Sequence, residues 1–444
     1  MKKSLWLVTS LVLVAALVLG ACAPKAAETP VATAVPADTQ AAPATTAAPM
    51  GPSGAISLWH AYQTGSSEES TLTELVANAE ARFSGLTINV LQIPFSDIFN
   101  KYQTEVAAGG GPDMFVAPND DLGNWARGEL VLPLDEYLAG RLSQISATGV
   151  EGMKVDGQLY GVPESAKAVA LYYNKSLLPT PPATTDELLA AVTGGASLNL
   201  FLGAYHMFGF TGMFGGQLLD ADNKCVADQG GWAEAFDYVL ALKAAGATVE
   251  SDYGKAEGPF REGKVAMFVN GPWALADYKK DLGDNLGVVP MPEGPNGKAD
   301  PFNGIDGFYL NPNSTNIPSA VEVALFLTGK DSAQIYTDKA GHVPIRSDVV
   351  ASDPLIAGFA EASASGYPRP QSTEFSQYWG PFGTAWTQVV EGTSSPELAV
   401  AEACAAMNTA NGKAVAAVNP VSGEITLWHA YQTGSSEEST LTEL

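Results

Sequence analysis

Basic residues are scarce in this sequence. Against 48 aspartates and glutamates there are 23 lysines and arginines, which gives a formal net charge of −25. Binding to nucleic acid requires Lys and Arg side chains that neutralise phosphates, and an anionic membrane surface attracts basic rather than acidic segments. The composition therefore argues against both partners, although acidity alone also serves solubility.

Cysteine and histidine are scarce as well, with three and four residues. Beyond Cys22, the remaining cysteines are Cys225 and Cys404, and they have neither CxxC spacing nor a histidine pair nearby. Zinc sites usually show one of these patterns, so we predict no metal site and no cofactor. Whether the two cysteines form a disulfide stays open, because pairing depends on a Cα separation that a sequence does not give.

Long hydrophobic runs are absent apart from one at the start of the chain. Residues 5–19 are apolar except for Thr9 and Ser10, and they follow Lys2 and Lys3. A membrane-spanning helix takes about 20 apolar residues, whereas this shorter run has the form of a secretory signal. It ends in Leu-Gly-Ala-Cys at 19–22, which resembles a bacterial lipobox. We therefore predict a lipoprotein signal peptide at 1–22 with lipidation of Cys22; the alternative is an ordinary signal with a chance cysteine.

A segment rich in Ala, Pro and Thr follows at residues 23–53. It offers too little apolar surface to offset the entropy of ordering, and Pro-rich chain is extended and semi-stiff. We interpret it as a linker that holds a domain away from a membrane. The predicted location is the cell surface or periplasm, with the lipid anchor as the only membrane contact. Residues 54–420 remain, enough for two lobes or domains.

The first part of this globular region alternates strands and helices. Strand patterns occupy 56–60, 86–93 and 113–117, and helical periodicity occupies about 66–83 and 98–108. Ser66 and Glu69 have the spacing of a capping box at the first helix. This order predicts a mostly parallel sheet with right-handed crossovers. Ligands bind beyond the carboxyl ends of such strands, which directs attention to the loops after Trp59 and Val116.

The end of the chain repeats its globular beginning. Residues 423–444 match 54–75 except that Glu424 replaces Ala55 and Thr426 replaces Ser57. The repeat holds one strand and part of one helix, so it is not a complete second domain. We interpret it as a truncated tandem copy, with a sequencing or assembly artefact as the alternative, and expect it to be dispensable.

Five short motifs carry a resemblance to a known family. They are Gly-Pro-Asp-Met-Phe at 111–115, Gly-Gln-Leu-Tyr-Gly-Val-Pro at 157–163, Leu-Tyr-Tyr-Asn-Lys at 171–175, Phe-Arg-Glu-Gly-Lys-Val-Ala-Met at 260–267 and Asn-Gly-Pro-Trp at 270–273. In this order the chain is similar, over residues 54–419, to the maltose-binding-protein-like group (family 1) of extracellular solute-binding proteins of ABC importers. The resemblance implies an α/β, periplasmic-binding-protein-like fold in which a hinge joins two α/β lobes around a ligand cleft. It implies a first lobe of 54–164 plus 304–342 and a second of 165–303 plus 343–420.

The resemblance also implies the function. The chain is expected to bind an oligosaccharide, to deliver it to ABC-transporter permease subunits, to catalyse no reaction and to act as a monomer. Sugar sites need aromatic plates for the C–H faces of the rings and hydrogen-bonding side chains for the hydroxyl rims. The resemblance places stacking aromatics at Trp273, Trp379 and Tyr205. The alternative for each is an aromatic of the core.

Polar candidates follow from the same resemblance. They are Gln63, Thr64, Asn119, Asp120, Asp121, Lys167 and Asp306. Gln63 and Thr64 stand where maltose binders of the family carry an acidic-basic pair. Residues 119–121 lie near the position of a family Asp-Arg pair, but this chain has no arginine there. Lys167 lies where the family has a hinge glutamate. Asp306 follows a hinge crossing. Asp120 and Asp121 have helix N-capping as an alternative role. These departures leave open which sugar is bound.

Other functions have less support. A glycoside hydrolase needs paired carboxylates, which an acidic chain always offers, but no hydrolase motif accompanies them. A Gly-x-Ser-x-Gly motif is absent. A surface lipoprotein that uses the same fold for sugar sensing or adhesion stays open, because the sequence does not separate sensing from import.

Overall fold

A computed structural model describes residues 51–414, 433 and 435–437. The predicted signal peptide, the Cys22 lipidation site, nearly all of the linker and most of the C-terminal repeat lie outside the described residues. None of the helices in the described part of the chain is long and apolar enough to cross a membrane.

Strands are spread along the whole described chain. They are β1 (Gly54–His60), β2 (Leu86–Gln92), β3 (Met114–Pro118), β4 (Lys154–Val155), β5 (Gln158–Leu159), β6 (Gly161–Lys167), β7 (Ala170–Asn174), β8 (Leu198–Phe201), β9 (Thr248–Glu250), β10 (Met267–Asn270), β11 (Leu286–Val289), β12 (Phe302–Leu310), β13 (Val343–Pro344) and β14 (Tyr367–Pro368).

Helices separate most of these strands. They are α1 (Ser67–Arg82), α2 (Phe95–Ala107), α3 (Leu122–Arg127), α4 (Asp135–Leu138), α5 (Ala147–Glu151), α6 (Thr185–Thr193), α7 (Ala204–Gly212), α8 (Trp232–Ala245), α9 (Tyr253–Arg261), α10 (Leu275–Leu282), α11 (Ile317–Leu327), α12 (Lys330–Ala340), α13 (Pro354–Ser365), α14 (Trp379–Glu391) and α15 (Pro396–Ala410). Short 3₁₀ turns occupy Ala227–Gln229, Pro272–Ala274, Gly283–Asn285 and Phe375–Tyr378.

The first lobe is built on a seven-stranded sheet with the order β13-β6-β12-β3-β1-β2, in which β14 also pairs with β12. β1 runs parallel to both β2 and β3, and α1 begins as predicted, because the Ser66 hydroxyl accepts the Glu69 N–H at 3.2 Å. The sheet as a whole is mixed, however, since β12 is antiparallel to β3 and β6. The prediction of a mostly parallel sheet holds for the first three strands; β12 returns from the other lobe in the opposite direction.

The second lobe is built on a five-stranded sheet with the order β11-β7-β10-β8-β9. The chain passes between the two sheets after β6, before β12 and after β13, and these three strands are neighbours in the first sheet. The predicted α/β fold with two lobes around a hinge is confirmed. The residue boundaries of the lobes stay a prediction.

A disulfide ties α15 to the segment that precedes α8. Cys225 and Cys404 are bonded, with their Cα atoms 5.4 Å apart, which answers the question that their spacing left open. Cys404 lies on α15, and Asn408 one turn later accepts the Cys225 N–H at 2.8 Å. The bond restricts the unfolded chain over a separation of 179 residues and should therefore stabilise the fold.

The place of β1 in the first sheet supports the prediction that residues 423–444 are dispensable. β1 already pairs along both of its edges, with β2 and β3, so the sheet has no gap for a second copy of the same strand. We expect a chain that ends at residue 419 to melt at the same temperature as the full chain and to bind ligand equally well. Thermal unfolding with calorimetric binding checks this, and deletion of 54–75 from the full chain is the control. A clear loss of stability on truncation would show that the repeat pairs with the body of the protein.

Candidate functional site

Three aromatic side chains predicted for ligand contact form one row in the second lobe. Trp273 follows β10 in a 3₁₀ turn, and its ring centroid lies 6.0 Å from that of Tyr205 at the start of α7. The guanidinium carbon of Arg369 lies 5.2 Å from the Tyr205 centroid and 5.9 Å from that of Trp379, the first residue of α14. All three rings are partly buried. The structure thus brings together residues that are far apart in sequence.

A polar network behind Trp273 orients its ring. The indole N–H donates to the Tyr253 hydroxyl at 3.2 Å. The Asn270 amide donates to the same hydroxyl at 2.8 Å and to that of Tyr278 at 2.6 Å, while its oxygen lies 3.1 Å from His206 Nε2. Asn270 of the Asn-Gly-Pro-Trp motif therefore positions the Tyr253 hydroxyl, which in turn accepts the hydrogen bond from Trp273.

Lys167 lies at the end of β6, where the chain leaves the first sheet. Its ammonium is 3.1 Å from Glu68 on α1, 2.6 Å from Asp306 on β12 and 5.7 Å from the Trp273 ring centroid. Burial lowers the pKa of Lys167, but the charges of Asp306 and Glu68 outweigh burial and raise it. An ammonium has three donors, and two carboxylates are its partners among the described residues, which leaves one N–H beside the aromatic row.

His342 extends this network to the third chain crossing. Its Nε2 lies 2.9 Å from Glu68 and its Nδ1 3.0 Å from Glu164, and the ring stacks on Tyr336 at 4.8 Å. Burial lowers the pKa of His342, but the charge of Glu164 and hydrogen bonds to both carboxylates raise it to about 9. Because β6, β12 and the residue before β13 all contribute charged groups, we name Glu68, Glu164, Lys167, Asp306 and His342 the hinge network.

The loop after β3 carries Asn119, Asp120 and Asp121. The Asn119 amide donates to the Gly152 carbonyl at 2.7 Å, and Asp120 forms a buried ion pair with Arg369. Asp121 stands at the N-cap position of α3, but its carboxylate accepts from the Asn124 side chain at 3.1 Å rather than from the helix backbone. Burial and the charge of Asp120 raise the pKa of Asp121 to about 6.

Gln63 and Thr64 lie on the exposed loop between β1 and α1, at the carboxyl end of the strand, where the resemblance placed them. Within the described residues neither side chain has a hydrogen-bond partner, so both are free to contact a ligand. Their buried neighbour Tyr62 lies beside the hinge network, with its ring centroid 5.8 Å from the Lys167 ammonium.

Sequence reasoning missed Glu68, His342 and Arg369. The sequence indicates none of these roles clearly. Glu68 has the position of an acidic residue in the first turn of a helix, and His342 and Arg369 lie outside the five motifs. Each acquires its place through contacts with residues 99 to 274 positions away.

Comparison with known proteins identifies the family of the chain. Residues 74–361 match the family model of bacterial extracellular solute-binding proteins. The chain belongs to this family. Solute-binding proteins capture a ligand and are not enzymes, so this solute-binding protein needs the site only for binding. The resemblance inferred from the five motifs is confirmed.

Two relatives of this solute-binding protein are named for the oligosaccharides that they bind. It is 28% identical over 347 residues to a maltotriose-binding protein of Pyrococcus abyssi, which covers 74% of this chain and 76% of the relative. It is 26% identical over 354 residues to a galactooligosaccharide-binding protein of Bacillus subtilis, which covers 73% and 82%.

Solved structures show the same fold. The maltotriose-binding protein of Thermus thermophilus, bound with maltotriose, is 29% identical with a TM-score of 0.74, over 80% of this chain and 100% of that one. The GacH receptor of Streptomyces glaucescens, solved unliganded and with acarbose, is 25% identical with a TM-score of 0.73, over 81% and 97%.

Proposed function

We propose that this solute-binding protein captures a neutral oligosaccharide between its lobes and delivers it to the permease of an ABC importer. The observation that carries the proposal is the row of Trp273, Tyr205 and Trp379 beside the polar hinge network. Aromatic faces suit the C–H faces of sugar rings, and the polar groups suit their hydroxyl rims. Named relatives that bind maltotriose and galactooligosaccharide support the ligand class.

The charges around the row favour a neutral ligand. Five acids face three bases there, namely Glu68, Asp120, Asp121, Glu164 and Asp306 against Lys167, His342 and Arg369. Each of these three bases is already paired with a carboxylate, so a ligand carboxylate or phosphate would meet no unpaired cation among the described residues at the row. Burying an unpaired anion is strongly unfavourable, and acidic sugars should therefore bind poorly.

Closure of the lobes would complete the site. Contacts already join the lobes, since the Ser67 hydroxyl of α1 donates to Asp277 of α10 at 2.6 Å and the Lys280 ammonium donates to that hydroxyl at 2.6 Å. The hinge would lie near residues 163–167, 302 and 343. A ligand that makes contacts only in the closed form shifts the equilibrium by its differential affinity. The closed form would display the surface that the permease recognises.

The location follows from the family and from the first residues of the chain. The family is extracellular, and one relative, from Streptococcus pneumoniae, is named as a solute-binding lipoprotein. We infer that lipid on Cys22 anchors the protein to the membrane, that residues 23–53 hold the lobes away from it, and that the protein works as a monomer.

Trp273→Ala should weaken sugar binding by at least ~1 kcal/mol, the scale of a well-packed aromatic contact. The ring is partly exposed and held from behind, so its removal should cost affinity more than fold. Isothermal titration calorimetry measures the change, and Phe95→Ala, which removes an exposed ring on α2, is the matched control. An affinity equal to that of the unaltered protein would reject the role of Trp273.

A ligand screen tests the proposed function itself. The purified protein is titrated with neutral oligosaccharides, oligosaccharides that carry uronic acids, and oligopeptides. We expect at least one neutral oligosaccharide to bind, and its carboxylated analogue to bind at least about 100-fold more weakly, since an unpaired buried charge costs several kcal/mol. Preference for an acidic sugar or for a peptide would overturn the proposal.

A further inference from the structure

Arg369 joins the two lobes by a contact that the sequence does not indicate. It lies on the segment between β14 and α14, and its side chain is 1% exposed. Nη1 donates to the Asn119 side-chain oxygen at 3.0 Å and forms an ion pair with Asp120. Both partners follow β3 in the first lobe. An arginine therefore does reach the loop after β3, from a position 249 residues further along the chain.

The guanidinium of Arg369 packs among aromatic rings and a glycine. It lies over the rings of Tyr205, Phe302 and Trp379, at 5.2, 5.9 and 5.9 Å from their centroids. It also packs on Gly304 of β12, where an added Cβ would lie 2.5 Å from Nη2. Planar stacking with a charge-assisted hydrogen bond is specific to arginine, because a lysine ammonium has neither the plane nor the fork of donors.

The chain around Arg369 is also packed tightly against the first lobe. A Cβ on Gly123 of α3 would lie 2.4 Å from the Gln371 carbonyl oxygen, and Arg127 of the same helix donates to that oxygen at 3.3 Å. These contacts, together with the pairing of β14 with β12, hold the segment of Arg369 beside the first lobe while its side chain reaches the rings of the second.

The guanidinium of Arg369 uses Nη1 for both hydrogen bonds that it makes within the described part of the chain. Nε is buried and has no hydrogen-bond partner among the described residues. A buried donor without a partner is costly, so the ion pair and the ring contacts hold Arg369 in place despite that cost.

We propose that Arg369 is a positioning residue that acts as a latch across the cleft. It fastens the loop after β3 to the aromatic row when the lobes close around the bound ligand. The nature of that ligand, a neutral oligosaccharide, rests on the proposed function. The latch itself rests on the contacts with Asn119, Asp120 and Tyr205.

Binding kinetics distinguish a latch from a merely structural arginine. Arg369→Gln and Arg369→Lys are compared with the unaltered protein by stopped-flow kinetics, using the neutral oligosaccharide that binds best. Since latch contacts form only after encounter, both variants should dissociate at least about tenfold faster, with association rates within about twofold of the original. Because Arg369 is 1% exposed and pairs with Asp120, its loss should also lower the melting temperature of the ligand-free variants, so the dissociation rate relative to the association rate is the deciding readout.

The matched control is Arg141→Gln. Arg141 forms a two-pronged pair with Glu322 at 2.7 and 2.8 Å, but both residues lie in the first lobe, so its loss should leave the dissociation rate unchanged. A lower melting temperature of ligand-free Arg369→Gln with an unchanged dissociation rate would overturn the latch, as would equal effects of the two glutamine variants.

A wrong ligand class and a wrong latch give different experimental results. If no carbohydrate binds the unaltered protein, the ligand class is wrong, and the latch is then tested without ligand. Spin labels on one exposed position of each lobe report the distance between the lobes. We expect Arg369→Gln to lower the closed population, whereas an unchanged distance distribution would overturn the latch.

Discussion

Replacement of Lys167 by methionine is expected to lower the free energy of unfolding by about 3–5 kcal/mol, the scale for removing one partner of a buried ion pair. Lys167 is 8% exposed and lies between Glu68 and Asp306, which are 5% and 1% exposed. Methionine keeps much of the volume but leaves Asp306 buried without its cation and Glu68 with His342 as its remaining partner. Burial already raises the pKa of Asp306 against the opposing pull of Lys167, so loss of the cation should raise it further.

Urea denaturation at neutral pH measures this change. The control is Lys339→Met, which breaks a pair with Glu74 whose side chains are 53% and 40% exposed; such surface pairs contribute about 0–1 kcal/mol. A loss for Lys167→Met no larger than that of the control would show that water, rather than Lys167, compensates the buried acids.

The second large effect is on the pH dependence of stability. The folded protein holds the pKa of His342 at about 9, above its ordinary value of 6.5. A group whose pKa is raised by folding contributes its full stability below the unfolded pKa and loses it as the pH rises through the folded pKa. The unaltered protein should therefore lose roughly 3 kcal/mol between about pH 6.5 and 9.5, since one pKa unit corresponds to about 1.4 kcal/mol.

His342→Gln provides the reference for that curve. Glutamine can still hydrogen-bond to Glu68 or Glu164 but does not titrate. Asp300, whose pKa burial raises to about 7, titrates in both proteins, so the difference between the two curves isolates His342. Unfolding free energies from urea titrations across this pH range give the difference. If the unfolding free energies of the two proteins change with pH in parallel, His342 stays neutral in the folded protein.

The sequence predicted the parts of the site that are encoded locally. Trp273 stands in a short motif whose asparagine turns out to position it, and the strands β1, β2 and β3 follow from hydrophobic periodicity over a few residues each. The resemblance then placed Tyr205 and Trp379 in the same region, and the structure brings all three rings together. Their contact with ligand stays a prediction.

Features formed by distant segments were not predictable in this way. β12 joins the first sheet antiparallel because the chain returns from the second lobe, and no local pattern records that return. Glu68, His342 and Arg369 are ordinary residues in their own segments. They become part of the site only when the hinge strands lie side by side and the segment after β14 reaches the loop after β3. Pairing over such separations depends on the whole fold.

In the proposed function, the two lobes close on an oligosaccharide and report its presence without a chemical reaction. Small-angle X-ray scattering of the protein with and without its best neutral oligosaccharide tests this claim most directly. Hinge closure makes a two-lobed molecule more compact, so we predict a smaller radius of gyration at saturating ligand. An unchanged radius of gyration, with tight binding confirmed by calorimetry on the same sample, would contradict the account and would favour a rigid, lectin-like module.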